Sequence, residues 1–432
     1  MSQDFAISTF QQVVDKLESL SIMPKEMPGI EKIKQAFAST NWFSKIDPEK
    51  VIVVAGTNGK GSTCAILESL LLAARKNVGF YSSPHLIDTT ERIRTNRKQI
   101  SKEKFVQLYQ QNVLLIEKFQ LTHFEALTLM AADYFFSSVW DNQLDYAILE
   151  VGLGGTFDAT NAIPHSISVI TALSLDHTQI LGPDLKSIAK NKFGIIQKNN
   201  LVIHHALAEE LDDLKNDIQL KTQSTWYEAA PVTLAIEVNR NLFEIPKYFL
   251  KSKWGVSELN LIGNRAAENA STALTVFEKL GFQPENHLSA LNTIDWQCRM
   301  QKVKWPKMKA AFYLSGDHNT AGVKSLLVLL KDFNWEKIHL IVGIGKDKDA
   351  FEMLELFSEL KNIQLYLTQT PFKGLTIDQY PEPFRSKAVA SNNNVEFLLN
   401  SIIPKVSEKD LVLVTGSLYL VGQVLKKIST HE

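Results

Sequence analysis

The sequence predicts an α/β protein: a phosphate-loop (P-loop) domain on a doubly wound, mostly parallel sheet, followed by a smaller C-terminal Rossmann-like α/β domain. Three observations carry this. From Val51 to Thr63 the chain reads VIVVAGTNGKGST, a β-branched run, a glycine-rich turn with one lysine, then a hydroxyl pair that opens a helix. Strand-like runs at Val51–Ala55, Val78–Tyr81, Tyr146–Val151, Ile167–Thr171 and Leu201–His204 alternate with helix-length stretches, the signature of βαβ units. The alternation breaks and then restarts at Ala311–Leu314, Ile338–Gly343, Ile363–Leu367 and Leu411–Thr415.

The chain has 432 residues, too many for one ordinary core. We divide it into 1–294 and 295–432. Before the break, Ser224–Asn260 reads as short mixed segments, a small antiparallel addition, and Asn264–Leu280 as a helix. After the loop, Thr63–Ala74 places Ile66, Leu67, Leu70, Leu71 and Ala74 at helical spacing. A net charge of −1 gives no electrostatic footprint for nucleic acid or a membrane surface. Two cysteines, Cys64 and Cys298, argue against a disulfide framework. The N-terminus lacks a basic region followed by an apolar one, and no uncharged apolar run approaches the about 18 residues of a membrane span. A cytoplasmic monomer is expected.

In a doubly wound sheet, ligands bind outside the carboxyl ends of the strands. Three features fall there. Glycines in GTNGKGS let backbone N–H groups close around phosphate oxygens, the helix N-terminus faces the anion, and Lys60 adds a point charge. Glu150 ends an apolar strand beside GLGG, where a carboxylate is costly to bury unpaired; Mg²⁺ bridging ATP phosphates is the natural partner. His177 lies just past Ile167–Thr171. The loop departs from G-x-x-x-x-G-K-[ST], because Gly61 separates Lys60 from Ser62. By the physics of an ordinary phosphate loop, Ser62 is the hydroxyl ligand.

The motifs GTNGKGS, YSSPHL (Tyr81–Leu86), ERIRTN (Glu91–Asn96), FEALT (Phe124–Thr128), EVGLGG (Glu150–Gly155), DATN (Asp158–Asn161), LDH (Leu175–His177), KDKD (Lys346–Asp349) and TGSLYLVG (Thr415–Gly422) occur in this order. Together they resemble the folate branch of the Mur ligase family, dihydrofolate synthase/folylpolyglutamate synthase. The resemblance implies an ATP-dependent ligase that joins a dihydropteroate or folate carboxylate to L-glutamate through an acyl phosphate. A diverged ligase with another carboxylate substrate, or an inactive nucleotide-binding relative, are the alternatives.

Residue by residue, the resemblance implies ATP contacts at Gly56, Thr57, Asn58, Gly59, Lys60, Gly61, Ser62, Asn269, Arg299 and Ser315. It implies two Mg²⁺ ions on Ser83, Glu150 and His177, with Ser83 rather than Ser62 as the hydroxyl ligand. A carbamylated Lys192 would orient the second ion; the alternative for Lys192 is a solvated lysine in a basic helix. The catalytic set is Lys60, Lys192, His318 and Arg299. Pterin contacts fall at Thr122, His123, Phe124, Glu125, Phe157, Asp158 and Ala159, an aromatic stacking the heterocycle while a carboxylate reads its N–H edge. The chain departs from the family pattern at Thr156 (arginine in relatives), Asn191 (glutamate), Arg265–Ala266 (His-Gln) and Ser315 (aspartate), with an aspartate appearing instead at Asp317. ESLSI at 18–22 also lacks the histidine of bifunctional relatives.

Overall fold

The computed structural model describes residues 9–20, 29–140, 143–237, 246–333 and 335–431; residues 1–8 of the leader reading and 21–22 of ESLSI lie outside them. Two compact units result, 1–231 with 268–295, and 232–267 with 296–432.

The first unit is built on β1 (Val51–Ala55), β2 (Val78–Tyr81), β3 (Ile93–Thr95), β4 (Lys98–Gln99), β5 (Tyr146–Glu150), β6 (Ile167–Ile170), β7 (Leu201–His204) and β8 (Thr225–Glu228). Their order is β4-β3-β2-β5-β1-β6-β7-β8, parallel from β2 through β8. All five residues of β1 are buried, as expected of a central parallel strand covered on both faces. Val53, Tyr81, Phe105, Met130, Phe193 and their neighbours form the core. From β1 the chain crosses to β2 on one side, whereas β5 leads to β6 on the other. The order therefore reverses at β5-β1-β6, where a ligand crevice is expected.

Two parts of this sheet depart from the sequence reading. ERIRTN folds into an antiparallel hairpin, β3 on β2 and β4 on β3, turning through Asn96 and Arg97 at positive φ. Thr225–Glu228, assigned from sequence to the antiparallel addition, instead extends the parallel sheet beside β7. As an edge strand it is mostly solvent-facing, so it lacks the apolar run of an inner strand.

In the second unit, β9 (Thr233–Glu237), β10 (Lys247–Ser252) and β11 (Gly255–Leu259) form the expected antiparallel addition; residues 238–245 of that reading lie outside the described ones. Although placed by sequence in the first domain, these strands group with the second unit. The physical reason is Tyr248, which packs in one core with Met300, Tyr313 and Leu340, its hydroxyl donating to Asp332 at 3.2 Å. The larger sheet runs β12 (Arg299–Val303), β13 (Ala311–Ser315), β17 (Leu411–Thr415), β14 (Ile338–Val342), β15 (Ile363–Leu367), β16 (Ala390–Ser391). Its strands are parallel except for β12, an antiparallel edge.

A buried ion pair ties the hairpin to the helix Lys60–Ala73. Arg94 bonds Glu68 and lies over the Phe80 ring at 4.6 Å, while Arg97 N donates to the other Glu68 oxygen at 3.1 Å. Glu68→Ala is expected to cost the first unit about 3–5 kcal/mol, because it strands a buried guanidinium. Denaturant unfolding followed by circular dichroism checks this, and a loss below about 1 kcal/mol would mean that Arg94 finds water.

Candidate active site

The phosphate loop is pinned before it reaches its helix. A Cβ on Gly56 would lie 1.8 Å from Thr171 Oγ1, and one on Gly59 would lie 2.2 Å from Asn269 Oδ1. Gly59 also sits at φ 89°, in the left-handed region, so glycine is required there. Thr57 N and Asn58 N both donate to Ala172 O, at 2.9 and 3.3 Å. Thr57 Oγ1 donates to Ser174 O at 3.0 Å, and Thr171 Oγ1 to Asn58 O at 2.8 Å. The middle amides of the loop therefore serve the protein. The amides suited to an anion are those of Lys60, Gly61 and Ser62, which precede the first intrahelical bond, Thr63 N to Gly59 O at 2.8 Å.

Two lysines converge on one carbonyl. Lys60 Nζ donates to Gly56 O at 3.1 Å and Thr57 O at 3.3 Å, and Lys192 Nζ donates to Gly56 O at 2.8 Å. Lys192 is only 4% exposed, which rules out the solvated-lysine alternative. Burial first, and the neighbouring Lys60 charge second, lower its pKa to about 7, so near neutrality a large fraction is a free amine.

Glu150 is buried at the end of β5, in register with Val54 of β1. Its Oε2 accepts from Ser83 N at 3.2 Å, so the loop after β2 and the end of β5 meet. His177 opens the short helix Thr178–Leu181 at φ 49°; its N–H donates to Asp176 Oδ1 at 2.8 Å, and its Nε2 lies 3.9 Å from the same oxygen. Among the described residues no group of three or more His, Cys, Asp or Glu side chains could hold a metal ion by itself. A carboxylate and a hydroxyl-bearing loop beside a phosphate loop do fit Mg²⁺, which takes hard oxygen ligands and keeps several waters. Ser62 is buried in the first turn of its helix.

The segments assigned to the pterin are tied down locally. Thr122 and Glu125 make a reciprocal cap on the helix His123–Phe136: Thr122 N and Oγ1 both donate to Glu125 Oε2 at 2.8 Å. T-x-x-E is itself a capping-box sequence, a signal present in THFE and missed. Asp158 is likewise engaged, Oδ2 by Gly152 N and Leu153 N at 3.0 Å, Oδ1 by Thr160 N at 3.0 Å and its hydroxyl at 2.6 Å. Oδ2 thus holds the EVGLGG loop and Oδ1 the turn at Thr160. His123 Nδ1 pairs with Leu17 O at 2.9 Å. Phe124 packs on Tyr81 with ring centroids 5.9 Å apart and against Gly152. Phe157 is 44% exposed and Ala159 buried, so Phe124 and Phe157 remain the aromatic candidates.

The sequence departures are local neighbours. Thr156 N and Oγ1 both donate to Asn191 O at 2.9 Å. In the second unit Ser315 Oγ donates to Asp317 Oδ2 at 2.6 Å, and Arg265 bonds Asp317 Oδ1. Arg299 pairs in register with Ser315, and its Nη1 donates to Cys298 O at 3.2 Å. Burial opposes ionisation of Asp317, but the Arg265 charge and the Ser315 hydroxyl, with Arg299 beyond, hold its carboxyl below the usual range. His318 Nδ1 pairs with Gly316 O at 2.9 Å, and Asn319 caps the helix Thr320–Leu330. In KDKD, Asp349 caps the helix Ala350–Phe357, Lys346 N donates to Lys373 O at 2.8 Å, and Asp347 pairs with Lys348 at 3.4 Å.

The family model described as the Mur ligase middle domain matches residues 54–277, more than half of the chain. The chain belongs to the Mur ligase family, in its dihydrofolate synthase/folylpolyglutamate synthase branch. A dihydrofolate synthase/folylpolyglutamate synthase of Buchnera aphidicola is 31% identical over 391 residues, covering 87% of this chain and 88% of its own. The one from Bacillus subtilis is 29% identical over 426 residues, covering 93% and 95%. Among solved structures, Escherichia coli FolC in complex with DHPP and ADP superposes with a TM-score of 0.84 at 26% identity, over 98% of this chain and 99% of that one. A bifunctional folylpolyglutamate synthase/dihydrofolate synthase with Mn, AMPPNP and L-glutamate bound gives 0.81 at 27% identity, over 98% of each.

Because the folded pKa of Asp317 is depressed, its stabilisation is present above the unfolded carboxyl value near pH 4 and lost as pH falls through the folded one. Asp317→Asn should therefore destabilise the second unit by about 1–3 kcal/mol at about pH 7, with the gap from wild type closing below about pH 4. Thermal melts across pH check it. A gap independent of pH would mean that the pairing is not ionic.

Proposed function

We propose that the chain is an ATP-dependent ligase that joins the carboxylate of dihydropteroate or a folate to the α-amino group of L-glutamate. The observation that carries this is the pair of lysines on the Gly56 carbonyl, at the start of a phosphate loop that lies within the family match over residues 54–277. The substrate oxygen attacks the γ-phosphoryl group, giving an acyl phosphate and ADP. The glutamate amine then attacks the acyl carbon, and the tetrahedral intermediate expels phosphate and leaves the amide.

The protein's contribution is positioning and charge. The first-turn amides and Lys60 hold phosphate oxygens. Arg299, always protonated, is assigned the charge on the transferring group. His318, whose Nδ1 pairs with Gly316 O, is assigned the amine proton as a general base. Ser83, Glu150 and His177 are assigned to Mg²⁺, which when bound neutralises phosphate charge. A neutral Lys192 amine can add to the carbon of CO₂ with loss of one proton, giving the carbamate assigned to a second ion. The pterin is assigned to Phe124 and Phe157.

The decisive assay follows product with ATP, Mg²⁺, dihydropteroate and glutamate. Product should require all four, and phosphate release with ATP alone should be slow. Lys60→Ala should abolish turnover with an unchanged circular dichroism spectrum and melting curve, since the lysine's charge serves phosphates and not the core. If another carboxylate supports rapid ATP turnover while dihydropteroate and folates all fail, the ligase family stands and the folate substrate falls.

Glu150→Gln keeps the shape and removes the charge. Its activity should fall at every substrate concentration and recover at most partly with excess Mg²⁺. An unchanged Mg²⁺ dependence would remove Glu150 from the ligand set.

A further inference from the structure

The connection from β2 to β3 carries Ser83 and is held by one acidic side chain. Its ends are closed by Ser82 N donating to Arg92 O at 2.9 Å. Between them, the Glu91 carboxylate accepts from three consecutive amides: Leu86 N at 2.7 Å on Oε2, with Ile87 N at 2.8 Å and Asp88 N at 2.7 Å on Oε1. Asp88 returns the contact, its carbonyl accepting Glu91 N at 3.0 Å and its Oδ1 accepting Thr90 N at 3.0 Å and Thr90 Oγ1 at 2.9 Å. Buried Arg92 donates from Nε to His85 Nδ1 at 2.9 Å. At the other end, Ser83 N donates to Glu150 Oε2 at 3.2 Å.

We propose that Glu91 is a positioning residue for the metal-binding loop, its three-amide clamp on residues 86–88 holding Ser83 against Glu150; this rests on the ligase reading above. Amide donors to an ionised carboxylate form strong, short hydrogen bonds. Without the carboxylate, three adjacent N–H groups lose their acceptor, and the backbone must turn to bring them to water. Ser83 lies three residues from the first of them and moves with that turn. Glutamine cannot substitute, because its NH₂ group would face an amide N–H. Aspartate keeps the charge on a shorter arm.

The test uses the full chain with AMPPNP and titrates Mn²⁺ by calorimetry. Wild type should bind Mn²⁺, Glu91→Gln about tenfold more weakly, as is typical when a residue supporting a ligand is removed, and Glu91→Asp between the two. The half-saturating Mg²⁺ for product formation should rise in parallel, while the KM for dihydropteroate stays within about twofold. A Glu91→Gln variant that melts earlier yet binds Mn²⁺ like wild type overturns the proposal, for Glu91 would then only staple the loop. Hydrogen exchange on the wild-type chain needs no variant: Mn²⁺ with AMPPNP must slow exchange across residues 83–91, and unchanged exchange there also overturns it. Failure of wild type to bind Mn²⁺ at all would defeat the ligase reading and this proposal together, whereas equal binding by wild type and Glu91→Gln defeats this proposal alone.

Discussion

The first unit's phosphate chemistry depends on the carbonyl of Gly56. That oxygen accepts from the ammonium groups of both Lys60 and Lys192, and a neutral carbonyl cannot balance two cations. The electrostatics resolve the conflict by favouring loss of a proton from the more buried partner. Lys192, desolvated and beside Lys60, titrates near neutrality. The carbonyl can occupy this position only because Gly56 has no Cβ to strike Thr171. One glycine thus fixes the path of the loop and the carbonyl on which both lysines meet.

The surrounding sheet turns that local arrangement into a site. Glu150 and the loop bearing His177 follow β5 and β6, the two strands flanking β1, so three carboxyl ends lie side by side where the winding reverses. Loop amides that would otherwise be free to move are fixed by carbonyls across β6: Ala172 takes two of them. The cost is that fewer loop amides remain unengaged, whereas those of the first helical turn precede any intrahelical bond and lie where the helix dipole favours an anion.

The inner strands were legible because a parallel strand buried on both faces must be apolar at every position, and VIVVA or YAILE can hardly read otherwise. Edge strands carry no such constraint. Thr225–Glu228, Lys98–Gln99 and Arg299–Val303 each have one open side, and each was missed or misassigned. Among site residues, the placement of Glu150 at a buried strand end was legible because a charge there has few structural uses, whereas the burial of Lys192 was not legible and only the resemblance singled that residue out. The local contacts of Glu125 and Asp158 were signalled and not read. Capping and loop-holding are common tasks for an acid near Thr, and T-x-x-E and D-x-T announce them. The grouping of 232–267 with the second unit was not legible, since it follows from Tyr248 packing against residues far along the chain.

The departures from the family pattern suggested a diverged substrate, and their placement weakens that reading. If selection had reshaped a binding surface, the changed side chains would be left facing outward to meet a different ligand. Here Thr156 meets nearby backbone, and Ser315, Asp317 and Arg265 meet each other. Thr156 spends its hydroxyl on the carbonyl of Asn191, itself a departure, and Asp317 is held between Ser315 and Arg265. A carboxylate moved by two residues thus lies beside the hydroxyl that stands in its former place, with a guanidinium to balance it. Such re-pairing preserves local charge and hydrogen bonding while the residue identities drift. It leaves Lys60, Lys192 and Glu150, the groups whose chemistry has no local substitute, where the fold requires them.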